Sequence, residues 1–380
     1  VTHWLFVFKL GNTMTEKTFL TPAYDSILKL QAYQTGKSVE DLKREYEVND
    51  VLKLGSNENP LGSSPYVTLA ITKQLDQLAR YPDSNAVDLK QAVADFNDVH
   101  SSQVTLGNGS NDLLDIIART FVSHKDAIVY SEYSFIVYPM LAKMIGATGI
   151  EVPAKRYGYD LQAMLEVVQQ NNNVRMVFIA NPNNPTGTLL SKEEIRDFVE
   201  QVPSHVLVVL DEAYIEYCPD SNNRELIDDF DNVILVRTFS KAYGLAGLRV
   251  GYALSHPNVA DMLNRIRQPF NVSLLGQSAA VAALGDQDFI AKVHKINDGQ
   301  MRWICKQFDA LGLGFVKSYA NFVMVNVGDA DTINQALLEQ GILVRPLAGY
   351  GLDEWLRITV GTPEDNTRLI DTLRDTLESM

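Results

Sequence analysis

The chain has 380 residues, 46% of them hydrophobic and 21% charged, enough to bury a large α/β core together with a smaller one. Its 33 basic residues face 47 acidic ones, a formal charge of −14, and such a surface repels phosphate backbones and anionic lipid, which argues against nucleic-acid and membrane-surface roles. Two cysteines, Cys218 and Cys305, and six scattered histidines give neither a disulfide framework nor a metal-ligand pattern, and point to a reducing, cytoplasmic setting with no metal site.

Taken in order, the chain opens with VTHWLFVFKLGNT, whose apolar stretch lacks a positive flank and a small-residue cleavage site, so it does not read as a signal segment. Met14 begins the more ordinary MTEKTFL, and residues 1–13 are expected to be a mis-called or alternative start. No apolar run approaches the ~20 residues that span a bilayer. Residues 14–60 read as an arm and part of a small domain, with a short amphipathic helix in SVEDLKREYEV. Residues 61–285 form the expected large domain. Within it, AIVY, VRMVFIA, HVLVVL, NVILVRTF and VGYAL alternate with helical stretches such as SKEEIRDFVEQV, the pattern of a doubly wound, mostly parallel sheet between helices. Residues 286–380 hold one long helical stretch, DFIAKVHKINDGQMRWICKQFDAL, then short strands and a final helix, a smaller α+β domain.

Four segments carry the polar chemistry, and three of them lie just past expected strands, where open α/β sheets bind ligands. GNGSND at 107–112 opens a helix with glycines and small polar residues, which suits an anion, although taken alone it reads more readily as an ordinary helix capped by Ser110 or Asn111. ANPNNPTG at 180–187 turns the chain sharply after VRMVFIA. In DEAYIEY, Asp211 follows an apolar run, and reads either as a helix N-cap or structural ion pair, or as a buried carboxylate whose positive partner is a protonated ring nitrogen. In TFSKAYGLAGLRVGYA, Lys241 sits in small uncharged surroundings, and burial would free its amine for Schiff-base chemistry.

SNENP, GNGSND, NPNNPTG, DEAY, SKAYGLAGLRVGY and LRITVGT, in this order over nearly the whole chain, resemble the fold-type I pyridoxal-5′-phosphate (PLP) aminotransferases. LKLGSNENPLGSSP, RYPDSN, EYSFIVY and GILVRPL followed by LRITVGT make it most similar to the histidinol-phosphate aminotransferase branch. The resemblance implies a PLP enzyme of histidine biosynthesis that moves an amino group between L-glutamate and imidazole-acetol phosphate, giving L-histidinol phosphate and 2-oxoglutarate. Aromatic amino-acid aminotransferases and threonine-phosphate decarboxylases share the motifs and stand as alternatives. It assigns Lys241 to the coenzyme Schiff base, Asp211 to the pyridinium nitrogen, and Tyr214 and Asn184 to the phenolic oxygen. Tyr133 would stack on the ring, while Ser110, Asn111, Ser240 and Arg249 hold the phosphate. Tyr81 would reach that phosphate from a second subunit, implying a homodimer with shared active sites. Arg357, Arg345, Asn57 and Tyr33 would bind the substrate. Two places depart from the pattern: Glu132 stands where many relatives carry Ser or Thr, and AGYGLDEW at 348–355 has no assigned role.

Overall fold

The structure, a computed structural model, describes residues 25–28, 30 and 37–380. The expected start at Met14 and the arm residue Tyr33 lie outside the described residues.

Strands buried on both faces organise the larger part of the molecule. In Val233–Thr238, Val233 and Leu235 point into one apolar cluster while Ile234 and Val236 point into another, and Leu207–Asp211 alternates in the same way. Seven strands form one sheet, in the order Val104–Gly107, Gly251–Ser255, Val233–Thr238, Leu207–Asp211, Val174–Ala180, Ala127–Ser131 and Thr148–Val152. Helices such as Ser110–Phe121 and Lys192–Gln201, where LLDIIARTF and SKEEIRDFVEQV predict them, supply the other halves of the two clusters.

The sheet departs from an all-parallel pattern at VGYAL: Gly251–Ser255 runs antiparallel to both neighbours. Residues 239–250 contain only the short 3₁₀ turn Ala246–Leu248 and no crossover helix, so the chain returns beside the strand it has just left. The antiparallel return also brings Arg249, just before this strand, to the edge where the parallel strands end.

The C-terminal part holds an antiparallel four-stranded sheet, in the order Arg345–Leu347, Leu352–Thr359, Phe322–Asn326 and Phe315–Val316. Val323, Val325, Leu356 and Ile358 pack on one face with residues of helices Gln287–Ala310, Ala330–Glu339 and Pro363–Ser379. Leu52–Lys53 pairs in parallel with Ile342–Leu343, tying the segment after the helix Val39–Tyr46 to this part of the chain. Among the described residues, no helix is long and apolar enough to cross a membrane, and no group of His, Cys, Asp or Glu is arranged to hold a metal.

Candidate active site

The carboxyl ends of four neighbouring parallel strands and the arginine-bearing sheet enclose a cavity of about 240 Å³. Lys241 enters it from a tight turn. Gly244, at φ 70°, closes the turn by bonding its N–H to Lys241 O, and a Cβ there would lie 2.0 Å from Gly62 O, so only glycine lets the two segments touch. Lys241 Nζ donates to Ser56 O at 3.0 Å and lies 5.8 Å from the centre of the Tyr214 ring. Burial, with the Arg357 charge adding to it, pushes its pKa down to about 7, so a neutral amine is populated near neutrality.

Asp211 is the last residue of its strand. Its Oδ2 accepts from Tyr138 Oη at 3.0 Å and its Oδ1 from Ala213 N–H at 3.2 Å. Burial pushes its pKa up to about 6, against the pull of those two neutral donors. The next carboxylate, Glu212, turns to the other face and forms a buried ion pair with Arg237 at 2.7 Å.

Opposite the lysine, Gly109 at φ 85° precedes helix Ser110–Phe121 and gives it no side-chain cap, leaving the helix's positive end available. Ser110, Asn111, Ser240 and Arg249 all line the cavity there, and Arg249 Nη1 donates to Ser240 Oγ at 3.2 Å. A Cβ on Gly109 would sit 2.6 Å from Arg249 Nη2, so the glycine lets the guanidinium lie against the helix start. This hydroxyl, amide and guanidinium cradle suits a phosphate.

The other end is cationic. Arg357 Nη1 donates to Asn184 Oδ1 at 2.6 Å and Nη2 to Gly55 O at 2.8 Å. Arg345 is its cross-strand partner and lines the same cavity. Tyr214 Oη accepts from Asn57 Nδ2 at 2.9 Å, and Asn57 is held in turn by Thr359, whose Oγ1 accepts its N–H. Burial lifts the Tyr214 phenol to about 12.

The structure thus gathers Lys241, Asp211, Tyr214, Asn184, Ser110, Asn111, Ser240, Arg249, Arg357, Arg345 and Asn57 around one space. Tyr133 is not among the cavity's lining residues; Phe135 is. Tyr133 adopts φ 52° and packs at 6.0 Å on Tyr157, which touches Trp355 at 5.2 Å, so Tyr350 and Trp355 of AGYGLDEW belong to an apolar cluster with these tyrosines. Glu132 accepts the Ala154 N–H at 2.9 Å. Tyr81 lies outside the cavity, 83% exposed and stacked on Phe270 at 4.7 Å. Tyr138, which the sequence reading passed over, shares its segment with Phe135; the signal was the aromatic repeat in EYSFIVY.

The sequence matches the family described as aminotransferase class I and II over residues 49–373. It is 67% identical to histidinol-phosphate aminotransferase 1 of Psychrobacter arcticus over 364 residues, 94% of this chain and 96% of the relative. The crystal structure of histidinol-phosphate aminotransferase from Sinorhizobium meliloti in complex with pyridoxal-5′-phosphate superposes with a TM-score of 0.88 at 32% identity, covering 97% of this chain and all of that one. L-threonine-O-3-phosphate decarboxylase from Porphyromonas gingivalis superposes with a TM-score of 0.76 at 23% identity, over 86% of this chain and 100% of that one, a likeness of fold alone.

Proposed function

The chain belongs to the class I and II aminotransferase family, and on that footing we propose that it exchanges an amino group between L-glutamate and imidazole-acetol phosphate, yielding L-histidinol phosphate and 2-oxoglutarate for histidine biosynthesis. The observation that carries the reading is a single cavity holding a desolvated amine, a buried carboxylate with only neutral donors, and an anion cradle. Pyridoxal-5′-phosphate fits that set: Asp211 lacks a cationic donor, which a protonated ring nitrogen supplies, and the cradle beside Gly109 is kept open for a phosphate.

When bound, the coenzyme draws electrons from the substrate carbon that bears the amino group. Lys241 Nζ is its covalent anchor and the base that moves a proton at that carbon. Asp211 keeps the ring nitrogen protonated. Asn184 gives its carbonyl to Arg357, which leaves its amide nitrogen to donate, together with the Tyr214 hydroxyl, to the phenolic oxygen. Ser110, Asn111, Ser240 and Arg249 hold the phosphate, and Phe135, in place of Tyr133, covers a ring face. Asn57 fixes Tyr214. Arg357 and Arg345 grip the substrate's anionic group, a carboxylate in glutamate and a phosphate ester in histidinol phosphate; a planar guanidinium serves both.

The exposed Tyr81 supports a homodimer in which it reaches the second subunit's coenzyme phosphate. The same reading keeps the division into 14–60, 61–285 and 286–380, assigns Tyr33 to the substrate arm, and places the enzyme in the cytoplasm.

The test is the visible coenzyme band of the purified protein during titration with L-histidinol phosphate, phenylalanine and threonine phosphate. The reading expects loss of the band at far lower concentration with histidinol phosphate, and recovery on adding 2-oxoglutarate. Equal conversion by phenylalanine would remove the histidine assignment, release of CO₂ from threonine phosphate would favour the decarboxylase, and no band after adding PLP would overturn the coenzyme itself.

A further inference from the structure

Beside the loop that carries Tyr81, two cations line one small cavity whose lining includes no carboxylate. Lys90, in the opening turn of helix Val87–Asn97, and Arg267, just after helix Pro257–Ile266, line it together with Asn85, Asn264 and Asn271. Arg267 bonds only neutral oxygens: Nε to Asn264 Oδ1 at 2.9 Å, and Nη1 and Nη2 to Asn271 Oδ1 and Asn85 Oδ1, both at 3.4 Å. The last two contacts are longer than well-formed N–H···O bonds and leave those nitrogens weakly committed. Neither cation has an ion pair among the described residues, and burial lowers the pKa of both, Arg267 adding to the effect on Lys90. Asp83 accepts the N–H groups of Asn85 and Val87, each at 2.9 Å, and from there its charge acts on Arg267 without forming an ion pair with it.

One further feature strengthens the field of the two cations. Leu106 and Val272 are buried and form an apolar side of the cavity, where solvent screens the two like charges less.

We propose that this cavity is a halide site that holds one chloride between Lys90 Nζ and the Arg267 guanidinium. Its volume, about 10 Å³, is near that of one water-sized sphere, which leaves no room for phosphate, sulfate or a carboxylate; a monatomic anion, somewhat wider than water, is the one that the long Lys90 and Arg267 side chains shift least to admit. The site lies where two functional loops meet. Gln277 Nε2, on one wall, donates to Asp83 O at 2.9 Å in the Tyr81 loop. Asn271 Nδ2 donates to Asp112, which accepts the Asn108 N–H beside the cradle. A bound chloride would clamp both.

Two measurements on the full-length protein test this. Crystals soaked in sodium bromide should give an anomalous bromine peak between Lys90 and Arg267. The thermal midpoint of the protein as isolated should stand about 2 °C or more higher in chloride than in gluconate at equal ionic strength. That difference should vanish in Lys90→Met and persist in Lys73→Met, which removes an exposed lysine nearby in sequence. A water, or a carboxylate of a second subunit, in place of the bromide would overturn the proposal, as would an equal chloride response in wild type and Lys90→Met. If Lys90→Met does not fold, the bromide map on the wild type decides alone.

Discussion

Tyr138 donates its hydroxyl to Asp211 across 3.0 Å, with both residues buried. Tyr138 stands at the start of helix Val137–Ile145 and lies flat on Phe178, with ring centres 4.6 Å apart and planes within 3°, so the hydroxyl has little freedom to turn away. The bond favours the charged carboxylate against the burial that lifts its pKa to about 6. It therefore sets how readily Asp211 pairs with a cation at neutral pH.

Tyr138→Phe should move the Asp211 pKa further up. Coenzyme affinity then falls about 5–10-fold, the worth of one buried bond to a charged group, and the deficit is largest near pH 6–7 and shrinks as pH rises and the carboxyl ionises anyway. Spectroscopic titration of the apoenzyme with PLP across pH 6–9 checks this. An undiminished affinity at pH 6 would remove Tyr138 from the site.

Lys241 gives a prediction of opposite sign, since burial depresses a lysine. Its amine titrates near 7 instead of 10.5, so the rate at which apoenzyme anchors PLP should rise through about pH 7 and level off above it. A rise centred near pH 10 would contradict the burial argument. Lys241→Ala should lose at least about 10²–10⁴-fold in turnover with an unchanged circular dichroism spectrum, because it removes the base and not the fold.

Phe135 and Tyr133 separate cleanly by mutation. Phe135→Ala should weaken PLP binding by roughly 1–2 kcal/mol, about 5–30-fold, through loss of a ring contact. Tyr133→Phe should leave coenzyme affinity within about twofold, since the ring packs on Tyr157 and is not among the side chains that line the cavity. Reversed effects would restore Tyr133 as the stacking residue.

That pair also marks the limit of what the sequence disclosed. The convergence of Lys241, Asp211, Asn184 and Arg249 on one cavity was legible because each sits in a motif whose backbone leaves a strand end in a fixed direction. Tyr133 and Phe135 are two residues apart in a segment past a strand, and which one faces the cavity depends on the left-handed turn at Tyr133, φ 52°, which no residue type announces there. The direction of Gly251–Ser255 is hidden for a related reason: apolar runs declare a strand, whereas its antiparallel course follows from the absence of a crossover helix in residues 239–250. Tyr81 shows a third kind of gap, because its ring stacks on Phe270 at the exposed surface of the chain and not in the cavity.

The buried pair Glu212–Arg237 lies back to back with Asp211 and yields a prediction in which stability and site chemistry part. Arg237 donates through Nε to Glu212 at 2.8 Å and through Nη1 to Asn97 Oδ1 at 2.7 Å, with almost no solvent exposure on either partner. Burial opposes the arginine's charge, and Glu212 more than restores it. Glu212→Gln leaves a buried guanidinium without its counter-ion and should cost about 3–5 kcal/mol of stability, read as a lower urea midpoint with unchanged slope. The same substitution removes a negative neighbour that raises the Asp211 pKa, so Asp211 should ionise at lower pH and the acid limb of PLP binding should shift downward. The double variant Glu212→Leu with Arg237→Met should regain much of the lost stability, because no charge then remains buried alone. If Glu212→Gln unfolds at the wild-type urea concentration, the pair carries no net stability. If the acid limb moves upward instead, Glu212 does not act on Asp211 through its charge.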